Sequence, residues 1–341
     1  KLKDLYGRVA QILNNARGRQ LTSVECCLLI DEAAVTIVAG NIRRSAGMRQ
    51  FASADTAAAG AKENLWQQDS DGNWRIDPER DALRMANHPR VFHTRPSLEV
   101  VQEAVIKQFH SGEGAIQFAP EAIARSNADL LTTAELRQEF QEIYCEQGRQ
   151  EAGRWLQLNH PEITEAELEH RLGRYGLNPC GEILGADFHC NLAEVHLNRL
   201  DPDDLEGQSD AFRAAGLSVA CLLNHRFEVE RYRQSRAWDP IVGVSFTGLF
   251  DFFVHAFGTP WWEWWAAGRP ETAEGLAFKE QEAAFLARWK TTVNEAVWDY
   301  CDRHGLRRPN RCTTVQPAGT KSLLTGAAPG WHPPKAQRFI R

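Results

Sequence analysis

The sequence predicts an α/β fold carried by a single domain, and three observations lead there. Its 341 residues are 43% hydrophobic and 25% charged, the composition of a chain with a sizeable core and not of a disordered, collagenous or coiled-coil one. Short apolar stretches of strand length alternate with longer segments of helical period. No internal repeat, low-complexity tract or obvious linker divides it.

The elements follow in chain order. Thr22-Ser23-Val24-Glu25 is a capping box, in which the Thr hydroxyl and the Glu carboxylate serve the first unpaired N–H groups of a helix. That helix is expected to run through Cys26, Leu28, Ile30, Val35 and Val38 and to stop near Gly40; apolar on most sides, it should be buried. Residues 67–78 read as a polar connection with a tight bend at Asp71-Gly72. Residues 114–118 are a strand candidate, and 134–172 are charged and helical with a break at Pro161. Residues 188–197 and 241–246 are further strands, and 283–300 form a long amphipathic helix ending before Pro309. Thr313 to Val315 then leads into Gln316-Pro317-Ala318-Gly319-Thr320-Lys321-Ser322, read as strand, loop and helix.

Composition also excludes several roles. With 39 basic against 45 acidic side chains the formal charge is −6, which gives no reason to expect a nucleic-acid partner. No run approaches the roughly 18 apolar residues of a membrane span; the greasiest segment, 241–257, is interrupted by Asp251 and His255. The cysteines (Cys26, Cys27, Cys145, Cys180, Cys190, Cys221, Cys301 and Cys312) form no C-x-x-C, and a chain of this size needs no disulfides, so a reducing cytoplasm is expected. Met48 and Met85 are the sole methionines, Lys1 lies inside a helical pattern and the last residues are "PPKAQRFIR". Residues 1–341 are therefore expected to be an internal piece of a longer protein.

Asn178-Pro179-Cys180-Gly181-Glu182-Ile183 carries the most chemistry. If it is extended, side chains two apart share a face, and an amide, a thiol and a carboxylate would converge. Such a set can orient a hydroxyl, attack or abstract at a neighbouring carbon, and move a proton. Three other readings stand beside it: a turn with an inert buried cysteine, a cysteine hydrolase using a histidine such as His189, and a zinc site through Cys180, His189 and Cys190 that lacks closely paired ligands. Strand alternation would put Phe188, Cys190 and Leu192 on one face, where a lone cysteine usually packs.

"GLNPCGEI" followed by "HCNLAEVHLNRL" resembles the catalytic chain of the ribonucleotide reductases. The likeness continues through "AGNIRRSA", "MANHPRVFHTRPS", "FHSGEGAIQF", "DPIVGVSFTGLFDFF" and "QPAGTKSLLTGAAPGWHPPKAQRFIR", from residue 39 to residue 341 and in the family's order. It is nearest to the monomeric, adenosylcobalamin-dependent (class II) type of cyanobacteria.

The resemblance implies a ten-stranded α/β barrel, partial in these residues, with the Cys180 loop as a central finger. It implies that Cys180 becomes a thiyl radical that takes the 3′-hydrogen of the substrate ribose, that Glu182 is the base on the 3′-hydroxyl, and that Asn178 holds the sugar hydroxyls. Cys190 would be one of two cysteines that form a disulfide as the 2′-hydroxyl leaves as water. The partner of Cys190 would lie upstream of this chain, and neither Cys26 nor Cys27 is assigned to that role; both, like Cys145, Cys221, Cys301 and Cys312, are read as structural. Gly40, Asn41, Arg43 and Arg44 match the loop that carries effector identity to the substrate base, with a solvated basic turn as the plain alternative. Ala318, Gly319, Thr320, Lys321 and Ser322 match a substrate-phosphate loop at a helix start; "GTKS" is not a Walker loop, because Thr320 separates glycine from lysine.

The reaction so implied is reduction of ribonucleoside triphosphates to 2′-deoxyribonucleotides, with adenosylcobalamin as radical source, a deoxynucleotide effector, and thioredoxin or a similar dithiol as reductant. No metal site is implied. The rivals are a reductase chain activated by a separate metal-containing subunit and a catalytically silent nucleotide-binding relative. The 341 residues alone are expected to be inactive. The aromatic run Trp261-Trp262-Glu263-Trp264-Trp265 is expected to pack and not to stack on a ligand.

Overall fold

Parallel strand pairs joined by helices recur along the chain, as an α/β fold requires. The computed structural model describes residues 1–37, 46–111 and 115–334. Two compact units are present, Lys1–Leu184 and Gly185–Arg341.

In the first unit Gly47–Met48 pairs with Ala86–Asn87, and Phe51–Ala52, Arg90–Phe92 and Ile116–Phe118 make a three-stranded parallel sheet in that order. The helix Leu98–Ser111 is the crossover between its last two strands. The expected strand at 114–118 is therefore found at Ile116–Phe118, Gly114 lying outside the described residues. The charged stretch 134–172 forms three helices, Ala134–Gln147, Arg149–Asn159 and Glu165–Leu172. Its unforeseen break is Gly148, at φ +94, where only glycine turns the chain without strain. Residues 67–78 belong to an antiparallel hairpin, Trp66–Gln68 against Trp74–Ile76, with Gly72 at φ +80 in the bend. Both tryptophans are exposed, so the hairpin has no buried face and shows no apolar alternation in sequence.

The capping box forms: the Thr22 hydroxyl accepts from the Glu25 N–H at 3.2 Å, and the Glu25 carboxylate accepts from the Thr22 N–H at 2.8 Å. The helix is Ser23–Val35, shorter than expected, and buries one side only; Ile30 and Cys26 are exposed while Asp31 and Glu32 are buried. The apolar count misled because two acidic residues point inward, to Arg49 at 2.5 Å and Arg8 at 3.1 Å. Arg19, then the Thr22 N–H, hold the Glu25 carboxyl down at about 2. A depressed value means that the cap persists above the ordinary carboxylate range and is lost only as the pH falls through about 2. A carbon-13 titration should find Glu25 still ionised at about pH 3, and an ordinary midpoint would show that Arg19 does not engage it.

In the second unit Leu192–His196 and Gly243–Thr247 pair in parallel, Glu194 opposite Ser245 and His196 opposite Thr247, with the helix Leu205–Cys221 as crossover. Thr313 adds a single parallel bridge to Val244 after the helix Ala273–Arg303, which is longer than the expected 283–300. Around them packs an aromatic core of Phe212, Phe250, Phe252, Phe253, Trp261 and Trp289. Trp261 donates to the buried Glu282 at 2.7 Å and Trp264 is buried, so these two pack as expected, whereas Trp262 is exposed and stacks on Trp265. Among the described residues the ladders remain separate two- and three-stranded sets. No helix among them is long and apolar enough to cross a membrane.

Candidate active site

Residues 178–183 form a reverse turn, not the extended run on which Asn178, Cys180 and Glu182 would share a face. The Asn178 carbonyl accepts from the Gly181 N–H at 2.9 Å, and its N–H donates to the Ile183 carbonyl at 3.2 Å. Its side-chain oxygen accepts from the Ile183 N–H at 3.0 Å. Pro179 sits at the second position, where its fixed φ is preset for a turn, and Gly181 takes φ +78. Turn chemistry thus overrides the alternation argument. Cys180 is exposed at the tip, Glu182 is half-buried just beyond it, and Asn178 is buried beneath.

Amides hold this turn. Asn87 donates to the Pro179 carbonyl at 2.6 Å. The Leu177 N–H donates to Gln50 at 3.0 Å, while Gln50 and Gln117 both donate to the Tyr175 carbonyl, at 3.0 and 2.7 Å. Gln50, Asn87 and Gln117 sit in or beside the parallel strands of the first unit, so the sheet fixes the stem of the turn. Asn87 and Gln117 lie within stretches that carry the family likeness and Gln50 within none, but sequence reading gave none of the three a role. The arrangement presents a thiol on a pinned tip, with a carboxylate two residues on. Asn178 spends its oxygen on the backbone, which leaves the NH₂ group as what it can offer a ligand.

The second unit carries the other expected residues. Cys190 is exposed in an irregular segment, since the strand begins only at Leu192; the shared face with Phe188 and Leu192 does not form. His189 stacks on Phe227 at 4.4 Å and meets Tyr232 edge-on, and desolvation with nearby Arg236 lowers its proton affinity. All eight cysteines are thiols. Burial raises Cys27, Cys145 and Cys301 and pushes Cys312 up to about 12, which makes these four sluggish nucleophiles and fits their structural reading.

The loop after Gln316 is followed by a four-residue 3-10 turn, Lys321–Leu324, in place of the expected α-helix. Ala318 and Ser322 are buried, Gly319 is half-buried, and Thr320 and Lys321 are exposed. The Ser322 hydroxyl donates to the Gly319 carbonyl at 2.8 Å, so it shapes the loop and is turned away from solvent. Glu194, which sequence reading did not single out, meets Gln316 at 2.6 Å and Lys321 at 3.1 Å. Gly40, Asn41, Arg43 and Arg44 lie outside the described residues.

No protein-family model matches the chain. It is 27% identical to the adenosylcobalamin-dependent ribonucleoside-triphosphate reductase of Levilactobacillus brevis, with 97% of this chain aligned to 38% of that protein. The enzyme of the same name from Lacticaseibacillus paracasei is 26% identical over 95% of the chain and again 38% of the relative. A vitamin B12-dependent ribonucleoside-diphosphate reductase of Mycobacterium tuberculosis is 30% identical over 176 residues, 48% of this chain and 25% of that one. The crystal structure of a B12-dependent (class II) ribonucleotide reductase superposes with a TM-score of 0.60 at 20% identity, covering 96% of this chain and 39% of that one. The chain thus spans 38% of the length of the triphosphate reductases it matches. In sequence and in fold, and over nearly all of its length, it is similar to one portion of the adenosylcobalamin-dependent ribonucleotide reductases.

Proposed function

We propose that these residues form the radical-cysteine portion of an adenosylcobalamin-dependent ribonucleoside-triphosphate reductase. The observation that carries the reading is the exposed Cys180 thiol on a turn pinned by Asn87, Gln50 and Gln117, in a chain of which 97% aligns to 38% of a reductase of that name. The radical site requires a thiol that can be reached and cannot wander, and this turn supplies both.

When bound, adenosylcobalamin supplies a carbon-centred radical; the residue here that fits it is Cys180, whose exposed sulfur can surrender a hydrogen atom. The Cys180 thiyl then takes the 3′-hydrogen of the ribose while Glu182 removes the 3′-hydroxyl proton and the Asn178 NH₂ group holds the sugar hydroxyls. The 2′-hydroxyl leaves as water. Cys190 and a second cysteine supply two electrons and two protons, close a disulfide, and are restored by thioredoxin or a similar dithiol. Cys180 then returns the hydrogen to C3′ and is again the thiyl, Glu182 returns its proton to the 3′-oxygen, and ribonucleotide and dithiol have become deoxyribonucleotide, disulfide and water. Ala318, Gly319, Thr320 and Lys321 hold the phosphates through backbone N–H groups, the Thr320 hydroxyl and the lysine charge, with Ser322 keeping the loop in shape. Gly40, Asn41, Arg43 and Arg44, outside the described residues, answer to a deoxynucleotide effector.

The same proposal takes residues 1–341 as part of one catalytic domain, a ten-stranded α/β barrel in the complete enzyme, working in the cytoplasm where thiols stay reduced. The test uses the full-length gene product without oxygen, given CTP and a dithiol with and without adenosylcobalamin. Deoxycytidine triphosphate that requires the cofactor is expected. Product only after addition of a metal-loaded partner subunit would overturn the cobalamin reading. CDP belongs in the same assay, because the diphosphate reductase of Mycobacterium tuberculosis matches half of the chain. A preference for CDP would replace the triphosphate assignment.

A further inference from the structure

Glu194 lies on the strand Leu192–His196 with its side chain 3% exposed. A single carboxylate oxygen, Oε2, takes the Gln316 side-chain N–H at 2.6 Å and the Lys321 ammonium at 3.1 Å. Those two residues flank the loop 317–320. Opposite Glu194, Ser245 accepts the Gln316 backbone N–H at 2.9 Å, so Gln316 is gripped twice. Two residues along the strand and on the same face, His196 meets the Thr325 hydroxyl at 2.7 Å, and that hydroxyl donates to Asn198 at 3.1 Å. The strand thus fastens the loop before it, at its end and beyond it.

The other oxygen, Oε1, is buried with no hydrogen bond among the described residues, its nearest basic neighbour being His196 Nε2 at 3.9 Å. A buried carboxylate served on one oxygen is a costly way to hold a backbone, and an apolar residue would fill the space more cheaply. What a carboxylate adds is a directional hold on a lysine whose long side chain is 48% exposed and would otherwise sweep through solvent.

We propose that Glu194 is a positioning residue, the staple that closes the 316–321 loop and presents Lys321 to a polyphosphate. This inference rests on the reading of the loop as the substrate-phosphate site. It does not place Glu194 in contact with substrate.

The experiment uses the full-length enzyme, with CTP as substrate and inorganic tripolyphosphate as competitive inhibitor. Glu194→Ala should raise the KM for CTP and the inhibition constant for tripolyphosphate about tenfold each, the scale of one lost hydrogen bond to a charged group. Its kcat should change much less, by about twofold, because the reacting sugar is not what the loop holds. Glu194→Gln keeps an acceptor oxygen for Gln316 and Lys321 and should stay within about threefold of wild type, whereas Glu194→Met, which fills the space without an acceptor, should behave like Glu194→Ala; a Met variant as good as the Gln variant would overturn the staple. Lys321→Met should weaken both ligands, and adding it to Glu194→Ala should cost nothing further. Should Glu194→Ala not fold, Gln316→Met removes the other arm of the staple and must shift both constants in the same direction.

Weaker binding in Lys321→Met with unchanged binding in Glu194→Ala would overturn the staple and leave the phosphate loop standing. Tighter tripolyphosphate binding in Glu194→Ala would also overturn it, since the carboxylate would then be a brake on anions. Unchanged binding in Lys321→Met would remove the phosphate-loop reading itself, and the staple with it.

Discussion

Replacing Cys180 by serine should bring deoxynucleotide formation by the full-length enzyme below about one ten-thousandth of wild type, a barrier increase of roughly 5.5 kcal/mol at 1.4 kcal/mol per decade. The substitution is nearly isosteric and sits at an exposed turn tip, so it should move stability by no more than about 0.5 kcal/mol. The loss therefore has to come from chemistry. A thiol exchanges a hydrogen atom with an activated C–H bond almost reversibly, whereas the O–H bond of serine is too strong to give its hydrogen up and, once broken, would not return it. Glu182→Gln should be milder, about a hundredfold to ten-thousandfold, because it removes a proton acceptor and leaves the radical step in place. A loss of less than about tenfold in Glu182→Gln would mean that Glu182 is not the base on the 3′-hydroxyl. Residual turnover in Cys180→Ser above about one hundredth of wild type would remove Cys180 as the radical site.

Much of this was legible in the residues, and the failures share one cause. Thr22 and Glu25 announced a helix start, and Asp71-Gly72 announced a bend, because capping and turn formation are local and use particular atoms. The burial of the helix Ser23–Val35 was misjudged, since which side faces inward depends on what Asp31 and Glu32 find to pair with, and Arg49 and Arg8 come from distant positions. At the candidate site, Pro179 and Gly181 carry a turn signal, and the Asn178–Gly181 hydrogen bond shows that it prevails over side-chain alternation. The roles of Gln50, Asn87 and Gln117 were not legible even where a quoted motif contains them: an amide is chosen by the carbonyl it must reach, and those carbonyls lie far along the chain. Glu194 is hidden in the same way, because its partners Gln316 and Lys321 lie more than 120 residues along the chain. The family likeness supplied roles for Asn178, Cys180, Glu182 and Cys190, and it was silent on what holds them.

Below the stem of the Cys180 turn, Arg171→Met should lower the stability of the first unit by about 3–5 kcal/mol. Arg171 is 1% exposed and carries a fixed charge. It forks onto Asp129 at 3.1 and 2.9 Å, reaches Glu167 at 2.8 Å, and donates to the Asn127 side-chain oxygen at 3.0 Å. That same oxygen accepts from the buried Arg174 at 3.1 Å, and the Asn127 NH₂ group donates to the Arg171 carbonyl at 3.1 Å. Ser126 closes the set on the Arg174 carbonyl at 2.8 Å, one residue before Tyr175, whose carbonyl Gln50 and Gln117 hold. Methionine fills the volume but strands two partly buried carboxylates, and the penalty is their desolvation more than any lost attraction. Hydrogen exchange should accelerate first in the helices Ala134–Gln147 and Glu165–Leu172, with the second unit's Ala273–Arg303 unaffected. Adding Asp129→Asn and Glu167→Gln should recover about half of the loss, because the stranded charges are then gone. A smaller loss, below about 1 kcal/mol, would mean that water reaches this network and that the rigidity of the Cys180 turn comes from the sheet amides alone.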